Sequence, residues 1–197
     1  SAASDVYKRQ GVDSVLNARV KECAPFENVY TLALRGLHDR AMNASNDMGD
    51  RKDMLQEALM AQRQMLIDAI GKPGEEIPQA FTPYKEVLDV YDEGLELPDD
   101  VTIIWPDDNY GYMKRLSSPK EQKRSGRSGV YYHSSYLGKP HDHLWMNTIS
   151  PTLMYEELRK AYDATADRIW LLNAGDIKSC EFAVDYFLTM AFDIDSF

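Results

Sequence analysis

Cysteine is scarce: Cys23 and Cys180 are the only two in 197 residues, and no CxxC spacing occurs. That excludes a disulfide framework and a zinc ribbon. No apolar run approaches the ~18 residues that a membrane span requires, and no charged-then-apolar N-terminus suggests a signal peptide. Positive charge is also short, at 22 Lys and Arg against 32 Asp and Glu, for a net charge of −10. A surface this acidic repels phosphate backbones, so neither nucleic acid nor a membrane is expected as a partner. Glycine and proline, at 11 and 9, are ordinary, and 44% of residues are hydrophobic. Disorder, collagen and low complexity are thereby excluded, leaving a soluble domain with one core.

What is present is an alternation of strand and helix patterns. Residues 1–10 have neither period and are expected to be a foreign or disordered tail, with the domain occupying 11–197. Val15, Leu16 and Val20 predict a short helix over 12–24, and Val29 to Leu34 a strand within 28–36. Between Arg51 and Gly71, apolar residues recur at three and four positions, which predicts a long helix stopped by Gly71 and Pro73. Further strands are expected at 77–84, 101–105, 129–136, 143–149 and 168–172, with helices at 85–93, from Pro151 and at 181–192. Trp105, Trp145 and Trp170 each fall in an apolar strand pattern and are expected to pack in the core.

Apolar strands alternating with amphipathic helices predict a parallel sheet covered by helices. Such sheets bind ligands just beyond the carboxyl ends of their strands. The residues at those ends are polar throughout: Arg35, His38 and Asp39; Tyr84 and Glu86; Asp107, Asp108 and Asn109; His133; Asn147; Asn173 and Asp176. One such residue is an ordinary helix cap or turn. Six strand ends in succession mark a site.

Five segments carry a specific resemblance. They are Arg35-Gly-Leu-His-Asp39, Pro83-Tyr-Lys-Glu-Val87, Trp105-Pro-Asp-Asp-Asn-Tyr-Gly-Tyr112, Gly129-Val-Tyr-Tyr-His133 and Asn173-Ala-Gly-Asp-Ile-Lys178. Together, and in this order, they resemble the central domain of glycoside hydrolase family 115, from about Asn28 to the C-terminus. The resemblance implies a (β/α)8 barrel of the TIM type with α-glucuronidase activity. Such an enzyme removes glucuronic acid or its 4-O-methyl ether from xylan with inversion and needs no cofactor. Two departures from the family pattern are Ala174, where valine is usual, and Ser179, where proline is common.

An inverting glycosidase uses two carboxyl groups roughly 6.5–9.5 Å apart, one as acid and one as base. Asp39 and Glu86 follow different strands and can face each other across a barrel mouth. The resemblance places both in the site; Glu86 is the preferred acid and Asp39 the preferred base, although sequence does not order them. Asp107 is a further carboxylate in the substrate-binding set, together with His38. Arg35 is expected to hold the uronate carboxylate, because a planar guanidinium binds carboxylates bidentately. Asn109, His133 and Asn173 are expected to bond sugar hydroxyls, as the family does at these places. Only one of Tyr131 and Tyr132 can face the site, since neighbours on a strand alternate. The basic loop 114–127 is expected to be a solvated loop.

Two other classes compete. A metal-dependent barrel hydrolase would use His141 and His143 of an H-x-H, with His38, His133 and Asp176 near strand ends. Here the H-x-H precedes its strand, where a ligand should follow one. A non-catalytic carbohydrate-binding barrel would not need two facing carboxyl groups. Six strands fall short of the eight of a complete barrel. The chain is therefore expected to be an N-terminally truncated barrel, inactive alone, whose first strands and further domains belong to a longer enzyme. Its open edges invite pairing with a second copy in a homodimer. The expected partner is glucuronoxylan or its oligosaccharides, and the resemblance suggests a periplasmic or secreted enzyme.

Overall fold

The computed structural model describes residues 2–35, 47–139 and 141–197. The chain divides into two compact units, Ser1–Phe81 with Lys85–Val101, and Thr82–Tyr84 with Thr102–Phe197.

The first unit contains helix α1 (Ala2–Cys23), strand β1 (Tyr30–Thr31), helix α2 (Met48–Ile70), strand β2 (Gln79–Phe81) and helix α3 (Glu86–Asp92). Residues 2–10, expected as a tail outside the domain, form the first turns of α1, continuous with the helix expected from Val12. Local chemistry explains the limits of α2. The Asp47 carboxylate accepts from the Asp50 N–H, and Gly71 closes the helix at φ 73°, donating to the Ile67 carbonyl. Leu55, Leu59 and Leu66, spaced four and seven apart, put one stripe of α2 into the core. β1 and β2 pair in parallel, Tyr30 opposite Gln79 and Thr31 opposite Ala80. Of the described residues in the strand expected over 28–36, Tyr30 and Thr31 form β1, and the Leu32 N–H adds one further bond to the Ala80 carbonyl at 2.8 Å. Beyond it, Ala33 offers its N–H and C=O to the carboxamide of Gln62, at 3.0 and 2.8 Å. A side chain thus does there what a neighbouring strand would do.

All of β2 is buried, including Gln79. Its amide donates to the carbonyls of Gly74 and Ile77, and its oxygen accepts from Arg63 at 3.0 Å. Arg63 in turn grips Asp100 at 2.7 and 3.0 Å. Every polar group of this buried chain is therefore satisfied, as burial demands.

The second unit contains β3 (Thr102–Pro106), β4 (Ser128–His133), helix α4 (Pro151–Asp163), β5 (Trp170–Asn173) and helix α5 (Ile177–Phe192). β4 pairs in parallel with both β3 and β5, Trp105 opposite Val130 and Val130 opposite Trp170. Gly129 is required here, because a Cβ would stand 2.0 Å from the Ile169 carbonyl oxygen. Val130 and Tyr132 point into a core completed by Met154, Leu158, Phe187 and Met190. The alternate residues, Tyr131 and His133, therefore lie on the opposite face. Tyr132 donates to the Gly111 carbonyl at 2.9 Å, and burial, with the charges of Asp107 and Glu157, pushes its phenol far up.

The architecture is α/β with five strands among the described residues, against the six expected. The sixth, over 143–149, does not form. His143 makes one isolated antiparallel bridge with Tyr136, and the chain then bends. Trp145 and Met146 end 77% and 74% exposed, so the apolar triplet Leu-Trp-Met belongs to a loop surface and Trp145 is not a core residue. Trp105 is fully buried, as expected, with its indole N–H on the Ser117 hydroxyl at 2.8 Å. Trp170 is half-buried and packs against the same core as Phe187.

Candidate active site

In the first unit the chain leaves β1 toward Arg35 and leaves β2 toward α3, which Glu86 opens. Lys85, just before Glu86, holds φ at 52°. For a residue with a Cβ this is a strained region, of the kind that collects at functional positions. Arg35 and Glu86 meet in a bidentate pair, Nε to Oε1 and Nη2 to Oε2, each at 3.2 Å. Their side chains are 19% and 20% exposed, so the pair is sheltered but open to a ligand. Arg35, expected as a partner for substrate, thus already binds a site carboxylate. His38 and Asp39 lie outside the described residues.

In the second unit three strand ends build a polar cluster. Asp107 directly follows β3, and its N–H donates to the Tyr131 carbonyl at 3.1 Å. Its side chain is 0% exposed, and both oxygens are used. Oδ1 accepts from His133 Nδ1 at 2.6 Å and from the Asn109 N–H at 3.0 Å; Oδ2 accepts from the His133 N–H at 2.9 Å. Asp107, expected to bind substrate, is spent within the protein. It holds two neighbours that are themselves expected to bind substrate.

Asn109 sits at φ 72°, a left-handed position that asparagine tolerates better than most residues. Its Oδ1 accepts from the Tyr84 hydroxyl at 3.0 Å, and its carbonyl accepts from His143 Nε2 at 2.8 Å. Asn173, the last residue of β5, donates its amide to the Tyr131 hydroxyl at 2.7 Å. His133 is walled by three rings: Tyr131 at 4.6 Å, Tyr136 edge-on at 5.8 Å and Tyr84 stacked at 6.1 Å between centroids. The structure thus brings Asp107, Asn109, His133 and Asn173 together at adjoining strand ends, with Tyr84 and Tyr131 bridging them.

Tyr136 was not singled out by sequence. Its only signal is its place three residues beyond His133, where the strand pattern ends. Asn147, expected in a strand, lies in the loop after His143, and its side chain accepts from the Ile149 N–H at 3.3 Å. Asp176 caps α5 by position, without a side-chain capping bond. The loop 114–127 is ordered by ion pairs rather than simply solvated. Arg115 binds Glu121 at 3.0 Å and stacks 4.5 Å over the ring of Trp105, and Arg127 pairs with Asp167. Both ring nitrogens of His143 are engaged, Nε2 on Asn109 and Nδ1 with Thr148 at 3.3 Å. Among the described residues no three His, Cys, Asp or Glu side chains stand close enough to hold a metal ion.

Comparison with known proteins decides the family. The model of glycosyl hydrolase family 115 matches residues 4–197. The chain belongs to glycoside hydrolase family 115. A solved structure of a family GH115 4-O-methyl-α-glucuronidase, described as specific for decorated arabinogalactans, superposes with a TM-score of 0.93 at 43% identity. The superposition covers 97% of this chain and 25% of that one, so the chain spans about a quarter of its solved relative. No curated protein sequence matched. At Ser179, where the resemblance leads one to expect proline, both the N–H and the hydroxyl bond the Asp176 carbonyl, at 3.2 and 3.0 Å. The serine makes a helix-start bond that a proline's missing N–H could not.

Proposed function

We propose that this GH115 chain is part of a (β/α)8 barrel that removes glucuronic acid or 4-O-methylglucuronic acid side chains from xylan with inversion. The observation that supports the reading best is the cluster of Asn109, His133 and Asn173 at adjoining strand carboxyl ends, the place where parallel α/β enzymes hold their ligands. A sugar offers hydroxyls in several directions, and amides, an imidazole and phenols can bond them.

In this reading Asp39 takes a proton from a water as its oxygen attacks the anomeric carbon. The bond to the xylan oxygen breaks, and that oxygen receives the proton of Glu86. Arg35 binds the uronate carboxylate beside Glu86, and His38, Asn109, His133 and Asn173 orient the ring. Asp107 serves substrate binding through its neighbours. Because the substrate is a cell-wall polymer, the enzyme works in the periplasm or outside the cell.

The polymer has a second reading. The solved relative is described as specific for decorated arabinogalactans, so an arabinogalactan carrying the same uronic acid is the alternative substrate.

The test uses the full-length protein that contains this chain. Incubated with glucuronoxylan oligosaccharides and with decorated arabinogalactan, it should release the uronic acid, and early proton NMR should show the inverted β-anomer. Release from arabinogalactan alone moves the substrate to the second reading. Release from neither, or first appearance of the α-anomer, overturns the proposal.

A further inference from the structure

His133 is 1% exposed, yet its protein hydrogen bonds leave one ring nitrogen over. Its main-chain N–H and its Nδ1 both go to Asp107, and among the described residues Nε2 makes no hydrogen bond. Although the residue is buried as a whole, Nε2 itself is not a buried unpaired atom, so it keeps access to a ligand. Asp107 sets which ring nitrogen carries the proton. An ionised carboxylate can only accept, so the 2.6 Å contact requires the proton on Nδ1 of His133. The neutral ring must then carry its lone pair on Nε2. His143 has the opposite arrangement, since its Nε2 faces the Asn109 carbonyl and has to donate. Two histidines of one cluster thus have their tautomers set in opposite senses by a carboxylate and a carbonyl.

The geometry points to Asp107 as a positioning residue that fixes His133 with Nε2 as an acceptor for a sugar hydroxyl. The choice of hydroxyl partner rests on the carbohydrate reading above; the tautomer does not. Asp107 fixes the place of the ring as well as its proton, because the same carboxylate also holds the His133 and Asn109 main-chain N–H groups. Tyr131, Tyr136 and Tyr84 complete the restraint by closing on the ring. A free imidazole samples both tautomers and several rotamers. Here a ligand hydroxyl meets one orientation with its acceptor already in place, so little ordering remains to be done on binding. Relays in which a buried acid orients a histidine work on the same principle.

The experiment has two arms on the full-length protein. In the first, histidine is labelled with ring 15N, and the His133 signals are identified as those lost in His133→Gln. They should show a protonated Nδ1 and an unprotonated Nε2 where the ring is neutral. A protonated Nε2 with a bare Nδ1 overturns the inference, whether or not the protein hydrolyses any glucuronide. The second arm is a double-mutant cycle on kcat/KM with Asp107→Asn, His133→Gln and the pair, each shown to fold by circular dichroism. Asparagine retains one acceptor oxygen, so it disturbs folding less than Asp107→Ala, which removes both. Each single change should lower kcat/KM by about 10- to 100-fold, with the double no worse than about twofold below the weaker single. Multiplied losses would show that Asp107 acts independently of His133 and would overturn the positioning role. Absence of glucuronide release in the unmutated protein defeats the carbohydrate reading alone, and the 15N result still decides the tautomer.

Discussion

Glu86 and Asp107 are both acids just beyond a strand, yet their surroundings differ in kind. Glu86 opens a helix after a strained lysine, keeps about a fifth of its side chain exposed and faces one guanidinium at 3.2 Å. Asp107 is fully buried and spends its oxygens on a histidine ring and two main-chain N–H groups. A carboxylate with accessible surface and a displaceable partner can exchange a proton with a substrate. One with its lone pairs committed can only orient what it holds. Two aspartates or glutamates at equivalent strand ends are therefore not interchangeable as candidates for acid–base work.

The largest expected effect separates the two directly. Glu86→Gln in the full-length enzyme should lower turnover by about 10²- to 10⁴-fold. Its stability should change by no more than about 1 kcal/mol, since a partly exposed ion pair contributes little. Turnover and urea melts on the same preparation check both halves, and a loss below about tenfold removes Glu86 from the acid–base pair.

Asp107→Ala should show the reverse emphasis. Three donors lose their acceptor in a buried place, which should cost at least about 3 kcal/mol in the same melts. Stability within about 1 kcal/mol of the parent would mean that water replaces the carboxylate, and the contrast with Glu86 would collapse.

A smaller change probes the ladder beneath the second site. Gly129→Ala pushes a Cβ against the Ile169 carbonyl, 2.0 Å away, in the strand that ends at His133. Moving backbone to relieve the clash should cost about 1–3 kcal/mol. Binding of glucuronic acid, followed by calorimetry, should weaken with it if the ladder sets the spacing of His133 and Asn173. The smallest effect is expected at Trp145→Ala. At 77% exposure its loss should change the unfolding free energy by no more than about 0.5 kcal/mol in the same melts. A larger cost would restore the core role that its apolar neighbours suggest.

Much of this was legible in the residues. Periodicity located α2 and α4, whose ends are set by groups within a few positions: Asp47 and Gly71 for one, Ser150 and Pro151 for the other. The unbroken apolar run at 101–105 became β3, and the polar strand ends became the cluster around His133. Where sequence failed, the deciding interaction was remote. Leu144, Trp145 and Met146 read as a strand because they are apolar, but only pairing with a neighbour makes a strand, and none pairs there.

What the sequence by itself determined is the order of strands and helices, the local caps that bound them, and the set of polar residues at strand ends. These depend on period, capping and turn chemistry within a few residues. Asp107, Asp108 and Asn109 are nearly indistinguishable in that local view. Tertiary structure alone decided that Asp107 turns inward to His133, 26 positions away, while Asp108 closes its own turn on Tyr110 and Tyr112. It likewise decided that Arg35 meets Glu86 across 51 positions. The role of a carboxylate follows from its burial and its partners, and those are supplied by distant parts of the chain that only folding brings near.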